Sequence, residues 1–267
     1  MISLVISDVD GTLVTRDKQL TPATLRAAQL LSARDIGFAV VSSRPPIGMR
    51  MLVEPLSLQL PIGTFSGGAT VTPTLEVMEQ HFLPESAVRK SVEILAAFSA
   101  DVWLYATNLW LVRDANGPYV ALERRTIQAE PMAVADFDPY FARASKIVGS
   151  SENFAKLAQC ETVLREALGE QASVSRSQLY YLDVTPARFD KGTFVEALAK
   201  RLAVPLQDVA VLGDGENDLA MFGRAGMSIA MGNASAEVKR RANYVAASNE
   251  DDGFAKAIEQ HILNGAR

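Results

Sequence analysis

The chain has 267 residues, 48% of them hydrophobic and 21% charged, which suits one large or two modest globular domains. A formal net charge of −5 with no basic run argues against nucleic acid as a partner, and the single cysteine, Cys160, excludes an internal disulfide and a cysteine metal cluster. Two histidines, His81 and His261, are too few for a histidine-rich metal site, and no apolar run approaches the roughly 18 residues of a membrane span. The first apolar segment has no charged leader and is too short for a signal peptide, so a cytoplasmic protein without a membrane partner is expected.

Ile2, Leu4, Val5 and Ile6 form an almost continuous apolar run, the pattern of a central parallel strand covered on both faces. Asp8 and Asp10 follow at its C-terminal end, where open α/β sheets place their ligands. If strand geometry persists, the two carboxylates face one site. Two anions packed together require a cation or a shared proton. Gly11 allows a sharp turn and a close approach to a ligand. The competing reading is an ordinary strand-ending Asp-Gly turn with both aspartates solvated.

Thr21 and Pro22 open a helix as N-cap and first helical residue, and Gly37 marks its end. Phe38–Val41 is a second buried strand running into Ser42, Ser43, Arg44 and Pro45. Hydroxyls, an arginine fork and a helix N-terminus make an oxyanion cradle, against the alternative of a capped helix with a surface arginine. That helix is expected to reach about Leu58. A third strand near Ile62–Phe65 ends in Ser66, Gly67 and Gly68, where two glycines suggest close backbone approach or a tight turn, and a hairpin follows over Val71–Glu79.

Beyond Pro84 the pattern changes. A helix over 85–99 precedes strands at Val102–Tyr105 and Leu109–Val112, antiparallel about a turn at Thr107-Asn108. A helix over 118–127, a strand at Lys146–Gly149, a helix over 152–168 and strands near 172–175 and 179–183 complete an α+β segment. Trp103, Tyr105, Trp110, Tyr180 and Tyr181 all lie in it and read chiefly as core, with Trp103, Trp110 and Tyr180 as candidates to line a substrate pocket. The α/β pattern returns at Asp190-Lys191-Gly192-Thr193, which opens a helix with a lysine in its first turn. A cation there is either exposed or held against an anionic site. Val209–Leu212 is the fourth buried strand and ends in Gly213-Asp214-Gly215-Glu216-Asn217-Asp218. Oxygen ligands without histidine or cysteine select magnesium over zinc. A strand at Met227–Ala230, a helix near 235–241, a short strand at Tyr244-Val245 and a helix over 251–263 close the chain.

Parallel strands bring their C-terminal ends to one sheet edge, so these four segments can converge. A carboxylate nucleophile, a second carboxylate, a cation, hydroxyls and a lysine suit phosphoryl transfer. Asp8-Val9-Asp10-Gly11-Thr12, then Ser42, then Lys191, then Gly213-Asp214-Gly215-Glu216-Asn217-Asp218, in that order, resemble the four motifs of the haloacid dehalogenase superfamily. Met231-Gly232-Asn233 and Asn249–Gly253 are similar to its Cof-type phosphatases, and the resemblance spans essentially the whole chain.

The resemblance implies a Rossmann-like parallel-sheet core over 1–82 and 186–267, with an inserted α+β cap over 83–185 that governs substrate choice. About 150 residues between Ser42 and Lys191 leave room for such a cap. It further implies that Asp8 attacks phosphorus and becomes an aspartyl-phosphate, while Asp10 protonates the leaving oxygen and later activates water. Ser42 and Lys191 would hold phosphoryl oxygens, with Ser43, Arg44 and Gly68 on the substrate side. Mg²⁺ would be bound by Asp8, the Asp10 backbone carbonyl and Asp214, supported by Asn217 and Asp218. The expected activity is hydrolysis of a small phosphomonoester, a sugar phosphate or phosphorylated cofactor, by a monomer or homodimer. The alternatives are a phosphomutase, a phosphatase of the sucrose-phosphate or mannosyl-phosphoglycerate type, and, more distantly, a non-enzymatic phospho-ligand binding protein. Two positions depart from the family pattern: Ser43 replaces the usual glycine, and Gly67 replaces a frequent asparagine.

Overall fold

The computed structural model describes residues 1–264. In chain order the elements are β1 (Leu4–Ser7), α1 (Pro22–Ser32), β2 (Gly37–Val40), α2 (Arg50–Val53), β3 (Ile62–Thr64), β4 (Ala69–Val71), β5 (Val77–Gln80) and α3 (Glu85–Ala97). There follow β6 (Asp101–Ala106), β7 (Leu109–Val112), α4 (Val120–Ile127), β8 (Met132–Ala133), β9 (Ala144–Ser150), α5 (Phe154–Leu168), β10 (Ala172–Gln178) and β11 (Tyr181–Pro186). Then come α6 (Lys191–Arg201), β12 (Val209–Gly213), α7 (Leu219–Phe222), β13 (Met227–Ala230), α8 (Ala236–Arg241), β14 (Tyr244–Val245) and α9 (Gly253–Ala257). No helix among the described residues is long and apolar enough to cross a membrane.

The first sheet has the order β14-β13-β12-β1-β2, and every pair in it is parallel. Its central strand explains the continuous apolar run. Val5 faces Ala27, Leu31 and Phe254, whereas Leu4 and Ile6 face Phe194, Leu198 and Met221, so both faces are packed by helices. Each such side chain contributes about 1.5–3 kcal/mol on burial. This is the Rossmann-like core. β3, β4 and β5 form a small antiparallel sheet, joined to the first through a Val41–Gly63 bridge.

The inserted segment forms a six-stranded sheet in the order β10-β11-β9-β6-β7-β8. Its strands obey the two-residue alternation. Val102 and Leu104 pack with Val88, Leu95, Leu157 and Leu164 of the two helices behind the sheet. Trp103 and Tyr105 point the other way and pack with Trp110, Tyr181 and Phe65, the last from the core. The helices thus cover one face, and an aromatic face turns toward the core sheet.

Two expected elements differ, and two short ones were not expected. The helix expected to run to about Leu58 is a 3-10 turn, Pro46–Met49, followed by only α2. Gly48 there packs against Ile127 of α4, where an added Cβ would meet Ile127 Cβ at 3.0 Å, so contact with the inserted segment replaces helical continuity. The closing helix over 251–263 is divided into α9 and a π-helical turn, Ile258–Leu263, after Asp252 takes a φ of 56°. β8 and a 3-10 segment, Asp138–Arg143, carry too few periodic residues to announce themselves. Cys160 is fully buried among the helices of the inserted segment, and burial raises its thiol to about 11.

Candidate active site

The parallel ladder delivers the first two motifs to one sheet edge. Asp8 N–H bonds to the Leu212 carbonyl at 2.9 Å, and Val41 N–H to that of Ser7 at 2.9 Å, so Asp8 and Ser42 leave the sheet side by side. Gly11 has φ 86°, and a Cβ there would lie 2.3 Å from Asp214 Oδ2. The first loop can close onto the fourth motif only because this residue has no side chain. Asp190 caps α6, accepting from Thr193 N–H at 2.7 Å, while Thr193 Oγ1 accepts from Asp190 N–H at 2.9 Å. Gly67 (φ 95°) lies against this cap, where a Cβ would sit 2.2 Å from the Asp190 carbonyl oxygen. Here the departure from asparagine has a local reason: the helix start occupies the space of the missing side chain.

Lys191 is 1% exposed, and its ammonium lies 2.6 Å from Asp8 Oδ1 and 2.5 Å from Asp218 Oδ1. Burial would lower its pKa, but Asp218 and then Asp8 more than offset that, and the group is held protonated. The second oxygen of Asp218 accepts backbone N–H bonds from Asp214 and Gly215, both at 2.8 Å. Asp218 is therefore saturated by the lysine and the loop. Burial, with Asp218 and Asp214 nearby, pushes the Asp8 carboxyl well up against the pull of Lys191. Asp214 is also raised, by burial and then Asp218, although Thr12 Oγ1 donates to it at 3.3 Å. Asn233 Nδ2 spans Asp214 Oδ2 at 3.1 Å and the Gly11 carbonyl at 2.9 Å.

Asp8, Asp214 and Asp218 each offer an oxygen within 4.8 Å of the others. Three carboxylates against one ammonium leave negative charge in excess, and all the donors are hard oxygens. A small divalent cation fits this set, with Asp8 and Asp214 retaining oxygen capacity that Asp218 lacks.

Asp10 is held differently. Arg44 forks onto it, Nε to Oδ2 at 2.7 Å and Nη2 to Oδ1 at 2.8 Å, and Lys18 Nζ adds a third contact to Oδ1 at 2.7 Å. Burial pushes Asp10 up, but Arg44 and then Lys18 outweigh it and hold the carboxyl far below the usual range. The Arg44 fork is thus committed to Asp10, and its Nη1 donates to the Gly48 carbonyl at 3.1 Å. Ser42 Oγ accepts from Arg44 N–H at 3.2 Å, which leaves its own proton to donate. The Ser43 hydroxyl is tied between Ser66 Oγ at 2.8 Å and Asn217 Nδ2 at 3.1 Å.

One cleft gathers Asp8, Asp10, Ser42, Ser43, Arg44, Lys191, Asp214 and Asn217. Asp218 lies beneath it, and Gly68 stands apart, its carbonyl accepting from His81 N–H at 2.9 Å near the junction with the inserted segment. The roof is made by the inserted sheet and α4, including Trp103, Tyr180 and Tyr181, whereas Trp110 lies behind them. Lys146 pairs with Asp183 at 2.7 Å and reaches down to the Ser43 carbonyl at 3.2 Å. Tyr105 donates to Glu123 Oε1 at 2.7 Å. Sequence reading missed Lys18, Glu123 and Lys146. A lysine inside an otherwise apolar strand was the available signal for Lys146; Glu123 reads as an ordinary helix-surface acid, and Lys18 as part of a polar loop.

A model of the haloacid dehalogenase-like hydrolases matches residues 5–258. The chain belongs to this family, in its Cof-type branch. A Haemophilus influenzae protein is 30% identical over 264 residues, covering 97% of this chain and 98% of that protein. The HMP-PP phosphatase of Cronobacter sakazakii is 28% identical, covering 85% of this chain and 83% of its own. A haloacid dehalogenase-like hydrolase from Bacteroides thetaiotaomicron superposes with a TM-score of 0.84 at 26% identity, covering 97% and 99% of the two chains.

Proposed function

We propose that this protein is a Mg²⁺-dependent phosphatase that hydrolyses small phosphomonoesters through an aspartyl-phosphate on Asp8. The observation that carries this reading is the placement of the Lys191 ammonium 2.6 Å from Asp8 Oδ1, at the end of a parallel strand and beside the Ser42 hydroxyl. One oxygen of Asp8 is oriented by the lysine while the carboxylate remains a nucleophile. The Cronobacter sakazakii relative named as a phosphatase supports the same activity.

In the first half-reaction an Asp8 oxygen bonds to phosphorus, and the bond between phosphorus and the leaving oxygen breaks. The electron pair goes to that oxygen, which takes a proton from Asp10. In the second, Asp10 accepts a proton from water, the oxygen of that water bonds to phosphorus, and the Asp8 carboxylate is regenerated with release of phosphate. Ser42 and Lys191 hold phosphoryl oxygens. Arg44 and Lys18 orient Asp10 and hold it ionised in the free site, so the proton it delivers to the leaving oxygen is taken up from solvent as the substrate binds, and the proton it takes from water is returned to solvent. Asp8, Asp214 and the Asp10 backbone carbonyl would hold Mg²⁺, which supplies charge neutralisation at the phosphoryl group. Residues 83–185 serve as the cap that shields the reacting group from water and selects the leaving group.

The test is phosphate release from p-nitrophenyl phosphate with Mg²⁺, with EDTA, and in Asp8→Asn. Release should require the metal and fall about 10⁴-fold or more in the variant. Release that is insensitive to Asp8→Asn would sink the mechanism.

A further inference from the structure

Four cations line the cleft, and each already sits against a carboxylate: Lys18 and Arg44 on Asp10, Lys146 on Asp183, and Lys191 on Asp8 and Asp218. Glu123 is the exception among the charged groups of the roof. It lines the same cleft, and among the described residues it forms no ion pair. Its carboxylate is fixed by the Tyr105 hydroxyl at 2.7 Å, which adds no charge. Burial raises its pKa against the pull of the Tyr105 hydroxyl and of Lys146, and it lines the cleft together with Asp10 and Arg44. Trp103, 1% exposed, lines the cleft too, its ring packed edge-on against Trp110 and Tyr181.

We propose that Glu123 is the specificity residue of this cleft. It selects phosphomonoesters whose leaving group is uncharged or cationic and presents a hydrogen-bond donor, and it rejects leaving groups that carry a second anion. This rests on the phosphatase reading above. A hydroxyl meets the demand of the roof by donating to Glu123. A carboxylate or second phosphate meets neither charge nor bonding: it faces Glu123, and every cation within the cleft is already paired. Sites built to bond a particular group discriminate through the partners they leave unpaired with the wrong ligand.

The experiment measures kcat and KM of the full chain on monophosphates of neutral polyols and sugars, and on phosphoglycerates and sugar bisphosphates. Wild type, Glu123→Gln and Glu123→Asp are compared. The glutamine keeps an acceptor for Tyr105, so folding is retained, and thermal melting checks this. Wild type should favour neutral leaving groups in kcat/KM by roughly tenfold or more. Glu123→Gln should shrink that ratio by about tenfold, mainly through KM, and Glu123→Asp should restore part of it. A wild-type preference for anionic leaving groups overturns the inference without any variant, as does a ratio that Glu123→Gln leaves unmoved. If wild type releases phosphate from p-nitrophenyl phosphate while the ratio stays fixed, the inference alone fails. If it releases none from any substrate, the phosphatase reading fails with it.

Discussion

On the floor of the cleft, Asp8, Ser42 and Asp214 follow the ends of parallel strands, and Lys191 stands in the first turn of α6. In the roof, Glu123 lies in the middle of α4 and Lys146 within β9. The floor's charges form one connected network, Asp8–Lys191–Asp218, tied by backbone N–H bonds to the Asp214 loop. The roof's charges are one isolated pair, Lys146–Asp183, and one unpaired acid. A network of this kind fixes geometry for chemistry shared by every substrate. An isolated acid can change without disturbing it, and so can serve selection.

The largest effect expected is on the floor. Lys191→Met leaves two buried carboxylates facing each other without their cation. Unfolding in urea, measured with EDTA, should show a loss of about 3–5 kcal/mol. Phosphate release should fall about 10³-fold, because both the orientation of Asp8 and a phosphoryl contact are lost. A loss below about 1 kcal/mol would mean that the floor is no more coupled than the roof.

Arg44 probes a second cluster of the floor, its fork on Asp10. The depressed pKa of Asp10 fixes the sign of its pH dependence. Its contribution to stability is complete above the unfolded value of about 3.9 and is lost as pH falls through the lower folded value. In metal-free protein, the difference in unfolding free energy between wild type and Asp10→Asn should stay level down to about pH 5 and shrink only below about pH 4. In an Arg44→Ala background the neutral-pH difference should be smaller by about 2 kcal/mol, and phosphate release about 10²-fold lower. A difference that grows on acidification would reverse the assignment of Arg44 as the group that keeps Asp10 ionised.

The same contrast explains what the sequence disclosed. Floor residues sit where a strand stops, so each motif is contiguous: Asp8 follows an apolar run, and Asp214 follows Val209–Leu212. Even the partner of Lys191 was within reach, since a lysine at a helix start calls for an anion. The roof offered no such contiguity. Glu123 meets Tyr105 across two elements, and Lys146 meets Asp183 across neighbouring strands, contacts that depend on sheet order and alternation. The Arg44 fork was legible as an oxyanion ligand, but which oxyanion it meets depends on the path of the loop that follows Asp10. The helix after Pro46 was over-extended because nothing local reveals that α4 packs on Gly48.

The smallest effect expected concerns the hydrogen bond from Lys146 of the roof to the Ser43 carbonyl of the floor. Lys146 is 5% exposed and Asp183 2%, and neither Asp183 oxygen accepts a well-directed hydrogen bond, so charge alone compensates the carboxylate. Lys146→Met by itself should cost about 2–4 kcal/mol by leaving Asp183 buried and unpaired, and Asp183→Asn added to it should recover most of that. The double variant then isolates the remaining contact, from Lys146 Nζ to the Ser43 carbonyl. Losing that single bond should raise KM about fivefold with kcat nearly unchanged, since it positions the roof over the loop and touches no reacting atom. A fall in kcat comparable to that of Arg44→Ala would instead make Lys146 part of the floor's network, and the division between a coupled floor and a separable roof would have to be redrawn.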